Sequence, residues 1–332
     1  MAGTLYCGRS LPHLLLRCPV AGNTLLVQSD EIGGSDEELE KVGAWWLRQP
    51  RADQRIGDVL RRAFDEVLDG QRTGRFLYEE LANSEKTYVG TKVEILLREE
   101  FQLARGPEPK RLDFSIEGIG VDCKYTQDAS WMIPIEAVDE LCLLVTASDA
   151  SARFSLGLLR CSMDLLNAPN RDRKRGISKA GRLRAWWMWQ DRPMPENLLR
   201  TLPTTEIQAI FADQGSGQQR VNELFRRVHG RIIRREVTLT VARQDDSMKR
   251  ARDARLHLQP EGIMVLGHQN QHPRIAADLG LPVPNKGQFV ACRVVSATPS
   301  RLLERRASTS IDGETWVLAA PDDPVEPGPG SY

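Results

Sequence analysis

Apolar residues recur every three or four positions along three early segments of the chain. The first segment opens with a capping-box pattern at residues 35–38 and ends at Pro50. The second covers residues 56–68 and stops at Gly70, and the third covers residues 87–101. Because this spacing places the apolar side chains on one face of a helix, the sequence predicts three packed helices.

Alternation of apolar and polar residues follows these helices. Residues 112–116 alternate, residues 117–118 supply a turn, and residues 119–124 resume an extended pattern. We predict an antiparallel hairpin here, and two further strands at residues 141–146 and 154–159. Strands and helices together predict a small mixed sheet flanked by helices, in an α/β (α+β) fold.

The predicted hairpin carries two carboxylates and a lysine. Side chains two apart on a strand share a face, so Asp122 and Lys124 point the same way, and the hairpin brings Asp113 to Asp122. Magnesium prefers oxygen ligands, and a lysine beside the ion can orient or deprotonate water and offset transition-state charge. Glu94, on the third helix, either ligates the metal or holds a metal-bound water. The plainer alternative is a solvated strand face.

Composition narrows the class of protein. The chain has 332 residues with 41% hydrophobic content, which allows a full core and favours two domains. Its six cysteines form no C-x-x-C pair and its histidines no zinc signature, which argues against structural zinc and against a secreted disulfide framework. A reduced, cytoplasmic protein is therefore expected. The apolar run at residues 11–16 is too short for a signal peptide or a membrane span.

Charge is unevenly distributed although the formal net charge is zero. Residues 171–255 contain 20 Lys and Arg against 10 Asp and Glu, whereas residues 28–70 contain 6 against 11. A local positive field of this kind neutralises DNA phosphates. The alternative is that these arginines merely keep the surface soluble.

The second half of the chain predicts a DNA-binding module. Residues 170–181 are dense in charge and glycine and are interpreted as an exposed linker, and the tryptophan-rich residues 186–189 as core. Residues 206–211 and 218–229 predict helices, and residues 232–241 predict a strand. This order is the outline of a winged helix-turn-helix, whose second helix enters the major groove. Its candidate DNA contacts are Gln219, Arg220, Asn222, Arg226 and Arg227.

Several segments together resemble the NaeI family of type IIE restriction endonucleases. In the catalytic half they are residues 69–75 (DGQRTGR), 84–94 (SEKTYVGTKVE) and 121–124 (VDCK). The similarity continues through residues 221–231, 244–250, 262–269 and 279–284, and it covers about residues 35–325. It implies that Glu94, Asp113, Asp122 and Lys124 form the active centre, with the three carboxylates as metal ligands.

The resemblance also implies a two-domain organisation. The expected parts are an extension at residues 1–30, a PD-(D/E)xK endonuclease domain at 31–165, a linker at 166–182, a winged helix-turn-helix-like effector domain at 183–320 and a disordered tail at 321–332. The catalytic domain is expected to be similar to that of the mismatch-repair nickase MutH, and the effector domain to topoisomerase folds.

The implied activity is Mg²⁺-dependent hydrolysis of both strands of double-stranded DNA at a GC-rich palindrome, GCCGGC. A second DNA copy in the effector domain acts as activator, with Lys249 and Arg250 as further candidate contacts. A homodimer and a cognate DNA methyltransferase are the implied protein partners.

Three rival functions stay open on the sequence. The first is a MutH-like nicking or repair endonuclease, and the second is a non-enzymatic helix-turn-helix regulator. The third is strand transfer of the topoisomerase kind, which needs a nucleophile such as Tyr88 or Tyr125, and no sequence feature positions either. Retention of all four nuclease residues argues against the second.

Overall fold

The structure is a computed structural model that describes residues 36–110, 112–212, 215–244, 246–303 and 306–332. The extension expected at residues 1–30 lies outside the described residues. Among the helices that are described, none is long and apolar enough to cross a membrane.

Helices come first in the described chain. They are α1 Glu37–Arg48, α2 Ala52–Leu68, α3 Gly70–Thr73 and α4 Asn83–Glu100. The three predicted helices are thereby confirmed, and α2 packs against α4. Gly70 opens α3 and does not end α2, because Asp69 already caps α2 with a left-handed φ of 45°. A Cβ at Gly70 would lie 2.2 Å from Oγ1 of Thr240, so this position admits no side chain.

The strands of the first half form two sheets. They are β1 Phe114–Ile116, β2 Ile119–Thr126, β3 Met132–Ile133, β4 Leu141–Ser148, β5 Arg153–Arg160, β6 Leu166–Pro169, β7 Arg175–Ile177 and β8 Trp186–Pro193. The large sheet has the order β1-β2-β4-β5-β8, with β2 and β4 parallel and the other neighbours antiparallel. The small sheet has the order β3-β7-β6. The predicted hairpin, the two predicted strands and the mixed α+β fold are confirmed.

Part of the stretch interpreted as a linker is regular structure. β7 pairs with both β3 and β6, and helix α5, Lys179–Arg184, follows it. The charged residues 171–174 form the exposed turn of the β6–β7 hairpin, which is why their composition is typical of a linker. The domain boundaries at 165 and 183 stay a prediction.

Helices and a second large sheet make up the rest of the chain. The elements are α6 Leu198–Thr201, α7 Thr204–Ile210, α8 Gly217–Arg227, β9 Ile233–Arg234, α9 Arg235–Ala242, α10 Ser247–Leu258, β10 Ile263–Leu266, α11 His272–Asp278, β11 Gln288–Ser296, α12 Pro299–Leu303, β12 Ser308–Ile311 and β13 Glu314–Leu318. The sheet has the order β10-β11-β13-β12, and β9 also pairs with β11.

The strand predicted at residues 232–241 is wrong over most of its length. Only β9 is extended, and α9 takes up the remainder. Thr and Val favour strands locally, but Thr238, Val241 and Ala242 are buried at helical spacing where α9 packs against both α8 and α10. Tertiary packing therefore overrides local propensity here.

The tail at residues 321–332, which the sequence predicts to be disordered, is docked on the second half. The Tyr332 hydroxyl accepts a hydrogen bond from the Val265 backbone N–H at 2.9 Å. Gly328 donates its N–H to the Gln259 carbonyl and accepts from the Gln259 side chain. These contacts cover one edge of β10. The Pro- and Gly-rich composition of the tail does not predict them, because they depend on residues that are distant in the sequence.

The buried apolar side chains form separate clusters in the two halves of the chain. Those of the first half end at Met194, and those of the second begin at Leu198. Phe76 is an exception, since it packs on the second-half core and stacks on Phe211 at 5.6 Å. From Glu37 to Tyr332 the chain forms one compact unit.

Candidate active site

A tight hairpin places the two aspartates of the predicted site opposite each other. β1 and β2 are joined by Glu117 and Gly118, which have φ of 53° and 80°, the left-handed region that two-residue hairpin turns require. Phe114 pairs with Val121. Asp113, just before this pair, and Asp122, just after it, therefore lie side by side at the open end of the hairpin.

Each aspartate is fixed by a neighbour on the hairpin. Oδ2 of Asp113 accepts the backbone N–H of Cys123 at 2.7 Å. Oδ2 of Asp122 lies 2.5 Å from Nζ of Lys124, and the Asp122 side chain is buried. Strand periodicity puts Asp122 and Lys124 on one face, as predicted, while Cys123 turns into the core.

Glu94 reaches the hairpin from α4. Val89, Val93 and Leu97 bury the other face of this helix, so Glu94 is held at the sheet edge with a quarter of its side chain exposed. Its carboxylate accepts a hydrogen bond from the Arg98 guanidinium at 2.8 Å. Arg98 was not predicted from the sequence. It lies four residues after Glu94 on the same helix, and this spacing brings two side chains close enough to pair.

Burial and mutual repulsion perturb the carboxylates. Burial raises the pKa of Asp122 to about 6, against the attraction of the Lys124 ammonium, and the adjacent Asp113 carboxylate adds to the rise. Burial, followed by the charge of Asp113, also raises the pKa of Glu94, and Arg98 opposes this. The Asp113 carboxylate therefore acts electrostatically on both Asp122 and Glu94.

Lys124 stays charged in this setting. Burial by itself lowers the pKa of Lys124, but the carboxylates of Asp122 and Asp113 outweigh burial and raise it above its usual value. An ammonium is therefore held on the same face as the acidic pair, where it can donate hydrogen bonds to a phosphate oxygen or to a water.

The donor set fits a hard divalent cation held by two carboxylates. Oδ2 of Asp122 is buried and accepts no hydrogen bond of normal geometry, and Asp113 lies against it. Magnesium takes one or two protein carboxylates and keeps waters for the remaining positions. Within the described residues, no three His, Cys, Asp or Glu side chains come close enough together to hold a metal ion. Glu94 thus stands outside the Asp113–Asp122 pair.

The predicted DNA contacts on α8 are largely engaged within the protein. The Arg220 guanidinium donates to the carbonyls of Val241 and Ala242, at 2.8 Å each, and so closes the end of α9. Gln219 belongs to the capping box of α8, and Asn222 accepts a hydrogen bond from the Gln218 side chain. These side chains hold α8 in place.

The two remaining arginines of α8 form ion pairs. Arg226 pairs with Glu261 at 2.7 Å, and Arg227 pairs with Glu206 at 2.8 Å. Glu223 contacts both of them. Their charges are therefore already compensated inside the fold.

Among the described residues, helix α10 exposes more unpaired basic side chains than α8. Lys249 and Arg252 are exposed, and Leu256 is 73% exposed. Arg250 donates to the Gln244 side chain at 3.1 Å, and Arg255 donates to the Val265 carbonyl at 2.9 Å. Arg252 is not among the contacts predicted from the sequence, because the incorrect strand at residues 232–241 concealed the helix pair α9–α10.

Comparison with known proteins identifies the family of this chain. The family model for restriction endonuclease NaeI matches residues 41–327. The type II restriction enzyme NaeI of Lentzea aerocolonigenes is 44% identical over 304 residues, which cover 89% of this chain and 94% of that protein. Type II restriction enzymes are site-specific endonucleases that generally use divalent metal ions. The resemblance seen in the sequence is thereby confirmed, and this chain belongs to the NaeI family of restriction endonucleases.

Proposed function

We propose that this enzyme hydrolyses both strands of double-stranded DNA with Mg²⁺, at the active centre formed by Glu94, Asp113, Asp122 and Lys124. The observation that carries the proposal is the side-by-side placement of two carboxylates with an ammonium on one strand face. The palindrome GCCGGC is the proposed site, by similarity to the family.

The four side chains have different roles in the proposed reaction. Asp113 and Asp122 hold the cation, which when bound polarises the scissile phosphate and lowers the pKa of the attacking water. Lys124, kept as an ammonium by its carboxylate neighbours, orients that water and stabilises negative charge on the phosphate oxygens. Glu94, held by Arg98, accepts a hydrogen bond from water at the edge of the site. In the overall step a water oxygen bonds to phosphorus and loses a proton to solvent. The P–O3′ bond breaks with inversion, and O3′ takes up a proton from solvent to leave as a hydroxyl.

Substitution of Lys124 tests the active centre. We expect Lys124→Ala to lower the cleavage rate by about 10²–10³-fold while specific binding of a duplex is retained, because one preorganised charge is lost from the transition state. Lys41→Ala removes an exposed lysine and should cleave normally. The assay is linearisation of supercoiled plasmid, with sequencing of the ends. Unchanged cleavage by Lys124→Ala, or open circles as the final product of the unaltered protein, would refute the proposal.

Metal binding is tested separately from cleavage. Mg²⁺ or Ca²⁺ should raise the thermal unfolding temperature of the unaltered protein, because the ion offsets repulsion between Asp113 and Asp122. Asp122→Asn should abolish that rise, whereas Asp172→Asn, on an exposed turn, should keep it. An equal rise in both variants would place the cation elsewhere.

We also propose that a second DNA duplex binds the C-terminal half and activates cleavage, with α10 as the helix that enters the major groove. Support comes from the order α8, β9, α9, α10, β10 and β11, in which β9 and β10 both pair with β11. That is the connectivity of a winged helix-turn-helix with α9 and α10 as its helix pair. Lys249 and Arg252 then become the leading contacts, ahead of the paired arginines of α8.

Stimulation by oligonucleotide tests this second site. A cognate duplex should speed cleavage of a poorly cut plasmid by the unaltered protein, and Lys249→Gln/Arg252→Gln should weaken that stimulation while basal cleavage persists. Arg226→Gln is the contrasting variant, expected to lower stability through loss of its ion pairs and to leave the stimulation of folded protein intact. A homodimer, which matches a palindrome, and a partner methyltransferase complete the proposal.

A further inference from the structure

A strongly basic surface belongs to the first half of the chain. It consists of the β6–β7 hairpin and α5, where residues 167–184 contain seven Lys and Arg side chains and one carboxylate, Asp172. We call it the basic hairpin surface, and its cationic residues are Arg171, Arg173, Lys174, Arg175, Lys179, Arg182 and Arg184.

This surface is built on the catalytic face of the large sheet. Asp122 pairs in register with Cys142 and Lys124 with Leu144, so these four side chains share one face. Cys142 and Leu144 belong to a buried cluster that also contains one residue from each strand of the small sheet, namely Ile133, Leu166 and Ile177. The small sheet, which carries the hairpin, therefore packs on the face from which the catalytic side chains project.

The charges of the basic hairpin surface are mostly uncompensated. Within the described chain, no ion pair or hydrogen bond is made by the side chains of Arg173, Lys174, Lys179, Arg182 and Arg184. All five are exposed. The contrast with α8 is clear, since its Arg226 and Arg227 face carboxylates at 2.7 and 2.8 Å. Uncompensated cations raise the local positive potential, whereas paired ones largely cancel.

We propose that the basic hairpin surface binds phosphates of the duplex that is being cut and holds it over Asp122 and Lys124. The inference rests on the proposed nuclease function and adds a substrate-binding surface to it. A duplex is the occupant that the charge favours, because several uncompensated cations on one small surface match a row of phosphates. Packing against a second copy of the chain about a twofold axis would place like charges against each other.

A matched pair of double variants tests the surface. Lys174→Gln/Arg182→Gln removes two of its charges, and Lys41→Gln/Arg48→Gln removes one lysine and one arginine from the exposed face of α1. In calcium, the slope of log Kd against log salt for a duplex containing the mapped site should fall by about 2 for the first variant and stay unchanged for the second. In magnesium, the first variant should raise KM and leave kcat near that of the unaltered enzyme.

Chemical protection gives a test that needs no variant. Acetylation of Lys174 and Lys179 in the unaltered protein, measured by mass spectrometry, should be suppressed several-fold by the duplex. Lys41, which is 63% exposed, should be acetylated equally with and without DNA. Lys174→Arg/Arg182→Lys keeps both charges and should retain the salt slope, which separates loss of charge from a local change of structure.

Two results would overturn the proposal. One is equal salt slopes and equal acetylation with and without DNA. The other is a change in oligomeric mass, seen by light scattering for Lys174→Gln/Arg182→Gln without a change in slope, which would make this surface a contact between copies. If the unaltered protein leaves plasmid uncut, the nuclease function fails while protection of Lys174 and Lys179 still reports binding.

Discussion

At the scale of single residues, the pairing of Asp122 with Lys124 was predictable because its geometry is local. Asp122 and Lys124 are two apart on a strand, and the turn at Glu117 and Gly118 fixes where Asp113 meets them. Nothing local predicts the buried pair between Arg61 and Asp149, since 88 positions separate them in the chain. Contacts of this kind follow only from the packed fold.

Arg98 is expected to act on catalysis through Glu94. The 2.8 Å bond between them sets the direction of a carboxylate whose pKa is raised by burial and by Asp113. We predict that Arg98→Ala lowers kcat by about 10²-fold, since a small displacement of a positioned group has that cost. KM should change little, and Arg98→Lys should recover part of kcat. Arg62→Ala, which breaks an exposed helical ion pair, is the control. A rise in KM alone would assign Arg98 to substrate binding.

At the scale of elements, sequence periodicity predicted the strands whose buried positions alternate and the helices whose buried positions recur every three or four residues. α1, α2, α4 and the β1–β2 hairpin belong to this group. α9 does not, because its Thr and Val side chains fit a strand locally and only its packing against α8 and α10 makes it a helix. The docked tail was missed for a related reason, since its partners on β10 and α11 are remote in sequence.

The contact between α11 and the tail should make stability depend on pH. His272 is buried, its Nδ1 accepts the Gly267 N–H at 2.9 Å, and its Nε2 lies 2.8 Å from the Tyr332 carbonyl oxygen. Burial lowers the pKa of His272, the bond to Tyr332 opposes this, and Arg255 lowers it further. As the pH falls below the pKa of this histidine in the unfolded chain, near 6.5, the unfolded chain binds more protons than the folded one. Stability therefore falls as pH falls.

Thermal unfolding at pH 7.5 and at pH 5.5 measures this effect. We expect His272→Gln to lower the free energy of unfolding by about 1–3 kcal/mol at pH 7.5, because the Gly267 N–H loses its acceptor. On acidification, the free energy of unfolding of this variant should decrease less than that of the unaltered protein. His257→Gln, an exposed substitution on α10, should have the same stability as the unaltered protein at both pH values. A steeper acid loss in His272→Gln would contradict the assignment.

At the scale of the whole molecule, a buried polar network joins the two halves. Asp149, at the turn after β4, pairs with Arg61 of α2 inside the first half. The same carboxylate lies 3.3 Å from the Asn197 side-chain nitrogen and 3.8 Å from the Arg200 guanidinium, both at the start of the second half. Asn197 also donates to the Phe76 carbonyl at 2.6 Å. The halves have separate apolar clusters, and they are linked by this network, by the Phe76–Phe211 stack and by the packing of α3 against α9.

Asp149→Asn tests whether the halves unfold together. Loss of this carboxylate leaves Arg61 with less compensation in the core, so we expect about 3–5 kcal/mol of destabilisation in urea. Tryptophan fluorescence reports mainly the first half, which holds every tryptophan except Trp316, whereas far-ultraviolet circular dichroism reports both halves. If the network couples the halves, both signals should shift equally and stay coincident. Asp172→Asn should shift neither. A shift of the fluorescence transition alone would show that the second half folds independently of Asp149. The proposed activation by effector DNA would then depend on another contact between the halves.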